Sequence, residues 1–331
     1  MSSQVLPYDL LIQILVRLPV KSLLCFSFYR DDGETLTKYQ ELEFPIKNEY
    51  YHYRASCNGL LCFSHYFRSR MSLALWNPSI RTFYRFPGPA WPTTHVSYSN
   101  VGVGYDRLTN EYKILILTFS MTLDYEHPNS FYVEVLVLGM DEWRRVNTHL
   151  PLLTMVLLGC PTFVHGAIHW IGYRWNESVI IAFDVHEEIF LEIELPSAIV
   201  QESGYSLMAD GESLYLLDNQ CNGVSSAVPI WVMKKYGVKQ SWSKQFIVEI
   251  HDYTFRVLGF RKHGQILLQK NKAELVSYDP KVQSTKLVVA SQQCKYTVSK
   301  YDSAIPYVEC LVLLKGSGRL EGHVDGPFSN C

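Results

Sequence analysis

The apolar positions of this chain change their spacing once, close to its start. Leu10, Leu11, Ile14, Leu15 and Leu18 recur at helical intervals, which predicts a short helix over residues 10–18 with one aliphatic face. Pro7 precedes it, Asp9 stands in its first turn near the positive end of the helix dipole, and Pro19 ends it. A second short apolar turn follows through Val20, Leu23, Leu24 and Phe26. Such a helix either packs on its own domain or offers its face to a partner, and the spacing alone leaves both open.

From Ser27 onward the pattern changes. Ser27-Phe28-Tyr29-Arg30-Asp31-Asp32-Gly33-Glu34 reads as a strand edge and a polar turn, and no amphipathic helix is predicted after it. Short apolar runs follow, among them Gly59–Phe63, Leu73–Trp76, Lys113–Leu117, Val133–Leu138, Val179–Phe183, Ser213–Leu217 and Ile266–Leu268. Turn signals separate them: Asn77-Pro78-Ser79, the run Asp106 to Asn110, Ala209-Asp210-Gly211 and Asp279-Pro280.

The runs repeat weakly. An apolar strand, a turn opened by Asn or Asp, and a strand ending near Pro or a β-branched run occur at Leu75–Pro78 to Phe86-Pro87, at Ala182–Asp184 to Leu195-Pro196, and at Ser277–Pro280 to Leu287-Val288. A second unit ends in a Trp-containing strand, at Glu142-Trp143 and again at Ser241-Trp242. The two Trp residues stand 99 positions apart and Asp184 stands 95 from Asp279. Because the units interleave, the underlying period is near the ~40–50 residues of a four-stranded propeller blade. A mainly β fold follows, with a propeller favoured over one or two β-sandwiches.

Composition narrows the classes. At 331 residues, 47% hydrophobic and 19% charged, the chain is globular, and its 14% of aromatic residues suits strands. A net charge of −2 gives no general attraction to nucleic acid or to an anionic membrane. No apolar run reaches the ~18 residues that span a bilayer, and no signal-peptide pattern opens the chain. The eight cysteines, Cys25, Cys57, Cys62, Cys160, Cys221, Cys294, Cys310 and Cys331, contain no CxxC pair. They are expected as small buried hydrophobes in a reducing compartment, cytoplasmic or nuclear.

Two sets of motifs carry a family resemblance. Leu6-Pro7, Asp9, Leu10-Leu11, Ile14-Leu15, Arg17-Leu18-Pro19 and Lys21-Ser22-Leu23 resemble the start of the F-box, which docks on a Skp-type adaptor of a cullin-based SCF ubiquitin ligase. The second half of an F-box does not follow Phe26, so residues 1–26 read as a truncated F-box and the first blade of the body as damaged. Ser56–Leu61, Trp76–Arg81, Gly102–Asp106, Tyr112–Ile114, His165–Trp170 and Ile230–Tyr236 look like the plant F-box-associated domain, of the S-locus F-box and F-box/kelch-repeat type. That resemblance implies a kelch-like β-propeller, possibly incomplete, over residues 27–315, with a tail at 316–331. It also implies a non-catalytic receptor that captures a target protein for ubiquitination.

The candidate chemistry is sparse. His165 and His169 lie four apart, a spacing that puts both imidazoles on one face of a strand, but two ligands make no metal site. Glu187, Glu188, Glu192 and Glu194 crowd one strand, where alternation sends Glu192 and Glu194 to one solvent face. Gly102-Val103-Gly104 lacks the third glycine of a dinucleotide loop. No catalytic, metal or cofactor residues are assigned. The adaptor contacts expected from the resemblance are Leu6, Pro7, Leu10, Leu11, Ile14, Leu15 and Leu18. Trp91, Tyr98, Tyr125, Arg174 and Trp175 lie in aromatic loops that suit a target protein. The alternative function is a propeller that holds its target but is uncoupled from the ligase.

Overall fold

The structure, a computed structural model, describes residues 13–314 apart from stretches that include 47–50, 90–95, 122–129, 219–226 and 290–304. The described residues form antiparallel sheets arranged as a propeller. Sheet I holds β1 (Gln13–Val20), β2 (Leu23–Asp31) and β3 (Leu36–Glu43). Sheet II holds β4 (His52–Cys57), β5 (Leu60–Phe67), β6 (Arg70–Asn77) and β7 (Thr82–Pro87). Sheet III is β8 (Val96–Asp106), β9 (Glu111–Met121), β10 (Ser130–Val137) and the two-residue β11 (Arg144–Arg145).

Sheet IV has β12 (Met155–Val156) and β13 (Thr162–Val164), both paired with β14 (Ala167–Arg174), then β15 (Glu177–Asp184) and β16 (Phe190–Ile193). Sheet V is β17 (Tyr205–Asp210), β18 (Ser213–Asp218), β19 (Ala227–Met233) and β20 (Trp242–Glu249). Sheet VI is β21 (Phe255–Phe260), β22 (Ile266–Lys270), β23 (Glu274–Asp279) and β24 (Ser284–Val289). The last strand, β25 (Ile305–Tyr307), returns to sheet I and pairs with β1. The chain's late segment thereby completes its first sheet and closes the ring.

First strands of neighbouring sheets touch: β4 with β8, β8 with β13, β13 with β17, and β21 with β25. These strands face the axis. Between sheets lie apolar layers that explain the Val, Ile and Leu runs. Leu217, Ile230 and Val232 of sheet V meet Val257, Ile266 and Leu268 of sheet VI, and aromatic Phe28, Phe44, Phe63 and Trp76 fill the space between sheets I and II. Each such side chain contributes roughly 1.5–3 kcal/mol when buried.

Four expectations change. The helix predicted over residues 10–18 is not formed from Gln13 onward, because Gln13–Val20 pairs residue by residue with β2 and its start pairs with β25. A helix of nine residues is marginal in water, whereas this run carries β-branched Ile14, Val16 and Val20 and finds two strand neighbours. The boundary expected between residues 26 and 27 falls inside β2. The first sheet, expected to be damaged, has four strands. Among the cysteines, Cys57 and Cys62 are buried as expected, and burial pushes the Cys62 thiol up to about 12, but Cys160 is exposed.

Candidate target-binding face

The ends of the propeller differ in how their connections are made. At one end lie the turns that join first to second strands and third to fourth strands. Four of them share one geometry. The side chain of Asn77, Asp106, Asp184 or Asp279 accepts a hydrogen bond from the amide two residues on, in Ser79, Leu108, His186 and Lys281, at 2.9–3.0 Å. Each turn then passes through a residue at positive φ four positions after the cap: Arg81 at 55°, Asn110 at 58°, Glu188 at 58° and Gln283 at 50°. Asx caps followed by a left-handed residue fix such turns without glycine. Asn58-Gly59 and His165-Gly166 join their hairpins with two consecutive positive φ values, as in type I′ turns.

Polar contacts at this end tie neighbouring sheets together. Asn77 Nδ2 donates to the carbonyls of Cys310 (3.1 Å) and Val312 (3.0 Å), so sheet II holds the segment after β25. Between sheets III and IV, the ammonium of Lys113 donates to Val185 O (2.7 Å) and to Glu188 Oε1 (3.0 Å), and Arg144 also pairs with Glu188. His186 Nδ1 meets Asp106 Oδ2 at 2.9 Å. Burial pushes the Asp106 carboxyl up, but the bond to His186 and the amides of Leu108 and Thr109 outweigh it and hold the group well below the usual carboxylate range. The same hydrogen bond to Asp106 raises His186. The partners of the dyad make it a joint between sheets III and IV.

Sheets IV and V meet through the two histidines singled out in the sequence. His165 is not on a strand; it sits in the β13–β14 turn, exposed, and stacks on Tyr236 with ring centroids 4.4 Å apart. His169, in β14, is fully buried. Its Nδ1 faces Thr162 O (3.1 Å) and its Nε2 faces Tyr236 OH (2.7 Å). A carbonyl can only accept, so Nδ1 carries the proton and Nε2 accepts from the tyrosine. Burial lowers His169 to about 4, which keeps it neutral at physiological pH. Glu192 and Glu194 are both solvent-facing. Gly102 and Gly104 serve packing: an added Cβ would lie 2.8 Å from Ile168 Cγ2 and 2.5 Å from Val185 Cγ2 respectively. Among the described residues no group of three or more His, Cys, Asp or Glu side chains is placed to hold a metal.

Of the residues expected to contact a target, Tyr98 and Arg174 are described, and both stand at the other end. Tyr98 lies near the start of β8 and Arg174 ends β14. Trp91, Tyr125 and Trp175 lie outside the described residues, as do Leu6, Pro7, Leu10 and Leu11. The described strand ends flanking them can be placed. Met121 pairs with Val96, Ser130 with Ser120, and Arg174 with Glu177, all at the end opposite the Asx turns. Ile14, Leu15 and Leu18 are in β1.

A ring of antiparallel sheets closed by its own last strand is a β-propeller. The sequence matches the F-box associated beta propeller domain over residues 13–312, and the chain belongs to that family. It is similar to the F-box protein CPR1 of Arabidopsis thaliana, 27% identical over 76% of this chain and 67% of that protein. An Arabidopsis F-box/kelch-repeat protein is 28% identical over 60% of this chain and 53% of its own length. For an Arabidopsis F-box/LRR-repeat protein the figures are 25%, 78% and 61%. The match thus spans between about half and two thirds of these relatives. Among solved structures, the periplasmic gluconolactonase PpgL of Pseudomonas aeruginosa aligns over 84% of this chain and 82% of that chain at 12% identity, with a TM-score of 0.44. At that distance the likeness carries no functional meaning. No described helix is long and apolar enough to cross a membrane.

Proposed function

We propose that this chain is the target-binding propeller of an F-box-type receptor in an SCF-type ubiquitin-ligase system. Membership of the F-box associated propeller family over residues 13–312 is the observation that carries the reading, and the F-box names of its Arabidopsis relatives support it. In such a system other subunits perform ubiquitin transfer, so the propeller supplies shape and charge and needs no catalytic centre. Trp91, Tyr98, Tyr125, Arg174 and Trp175 are proposed anchors, since aromatic and arginine side chains dominate the energetics of protein interfaces.

A second reading rests on β1. An adaptor docked through a helix containing Ile14, Leu15 and Leu18 would require Gln13–Val20 to leave both of its strand partners. The observed pairing favours a propeller that holds its target while coupling to the adaptor lies outside residues 13–20. A pull-down with purified Skp-type adaptor tests both readings, using this chain and a fusion with a complete F-box ahead of Gln13. The fusion is expected to retain the adaptor and to direct ubiquitin onto proteins that the bare propeller binds. A fusion that assembles yet directs ubiquitin onto none of them overturns the receptor reading. Adaptor binding by the bare chain, lost on Leu10→Asp with Ile14→Asp, overturns the second.

A further inference from the structure

The charged side chains of the Asx-turn end differ between its two sides. In sheets III and IV its turns expose Glu142 and Glu187 together with Arg107, Arg144 and Arg145, and carry the apolar tips Leu108, Met140 and Ile189. In sheets V and VI the turns present lysine instead. Lys234 and Lys235 open the turn from β19 to β20, Lys262 the turn from β21 to β22, and Lys281 the turn from β23 to β24. The two sheets stand side by side at this level. Tyr215, just after the β17–β18 turn, contacts Phe260, just before the β21–β22 turn, with ring centroids 4.4 Å apart.

Several carboxylates at this end are already engaged, while Asp210 stands exposed in the β17–β18 turn. Asp31 binds Arg261, Glu194 pairs with Lys239, Glu212 reaches Arg107 at 3.9 Å, and Asp279 caps its own turn. Among the described residues no carboxylate lies within ion-pair distance of Lys234, Lys235, Lys262 or Lys281. The surplus is local, because the whole chain carries a net charge of −2. The lysine pair is also held on a fixed turn. Ser241 returns its carbonyl to the Lys234 amide (3.2 Å), and its hydroxyl accepts from the Lys235 amide (3.0 Å) and sits 2.8 Å from Lys235 O. A cationic surface ordered before binding loses less entropy on association.

We infer that the turns of sheets V and VI form a docking surface for an acidic segment of the target protein. The inference rests on the target-binding reading and adds the chemistry of the segment recognised. The partner is a peptide rich in Asp and Glu, laid over Lys234, Lys235 and Lys281. Four lysines attract it over a Debye length of about 8–10 Å at moderate salt.

A fluorescein-labelled twelve-residue Asp/Glu-rich peptide, titrated by anisotropy against the full chain, tests this. Lys234→Glu with Lys235→Glu is expected to weaken binding at least tenfold, and Lys281→Glu severalfold. Lys270→Glu, on the same sheet VI but at its opposite end, is expected to change it less than twofold. An unchanged melting temperature shows that the variants are folded. Equal losses in the Lys270 and Lys234/Lys235 variants, or no loss in either, overturn the surface. So does tighter binding of a single-stranded RNA of equal length through the same lysines. None of these outcomes depends on adaptor binding, so this surface can fail while the receptor reading stands.

Discussion

The junction between sheets III and IV and the junction between sheets VI and I join neighbouring sheets with a different balance of packing and charge. At the first, backbone meets side chain with no room to spare: Gly102 and Gly104 lie against Ile168, Trp170 and Val185. Its ionic groups run from buried Lys113, against Glu188, to Arg144, which is about half exposed. At the second, the guanidinium of Arg261 grips Asp31 through Nε (3.1 Å) and Nη2 (2.6 Å), both side chains wholly buried, and also donates to Gln265. Sheets III and IV follow one another along the chain. Sheets VI and I are joined by segments 230 positions apart. Where proximity in sequence brings sheets together, close apolar packing is joined by a network of several ionic groups at one end. Where the ring must find its own beginning, a two-pronged charged contact fixes the register, a role better supported for buried pairs than net stabilisation.

That contrast can be broken at either junction. Arg261→Met strands a buried carboxylate and is expected to cost about 3–5 kcal/mol in urea denaturation. Adding Asp31→Leu to it is expected to restore part of the loss, because the remaining charge is then gone. Equal destabilisation in single and double variants would show that the pair contributes only through shape.

A third junction, between sheets IV and V, is sensitive to pH. His169, lowered to about 4 by burial, binds its proton less readily in the folded than in the unfolded chain. Stability therefore falls as pH drops from about 6.5 to 4, by roughly 3 kcal/mol at the limit. His186, raised by Asp106, has the opposite sign: its contribution is complete below its unfolded value and is lost as pH rises through its folded one. Denaturation curves from pH 7 to 4 on His169→Asn are expected to lose the first slope, whereas His186→Asn keeps it.

At the packed junction, Gly104→Ala is expected to cost about 1–3 kcal/mol through overpacking on Val185. Gly104→Ala with Val185→Ala should recover some of it, read as a coupling energy in a double-mutant cycle. The smallest effect belongs to the turns. Gln283→Gly relieves a left-handed residue and is expected to change stability by less than about 1 kcal/mol, with a slightly higher melting temperature.

Much of this was legible in the sequence because the signals are local. Asn77, Asp106 and Asp279 each mark a turn in the sequence and each caps one. The interleaved units also have a physical origin. The indole N–H of Trp143 donates to Pro87 O and that of Trp242 to Glu194 O, both at 2.9 Å. Each Trp thus staples its outer strand to the end of the preceding one. Gly102 and Gly104 were visible as a pair, but their reason, a neighbouring sheet at van der Waals distance, is not a local property. The segment at 13–20 misled because Ile14, Leu15 and Leu18 satisfy a helical spacing as well as a strand's, and the choice was made by β2 and β25. Arg261 gave no signal, since its partner lies in the first sheet. Lys234 and Lys235 were seen as part of a family motif but not as a surface, which needs the adjacent sheet.

Amide hydrogen exchange over residues 13–20, with and without purified Skp-type adaptor, tests the central claim most directly. A closed propeller that includes β1 predicts protection comparable to Leu23–Asp31 in the free chain and no change on adding adaptor. Rapid exchange in the free chain, with protection gained only when adaptor is added, would contradict it.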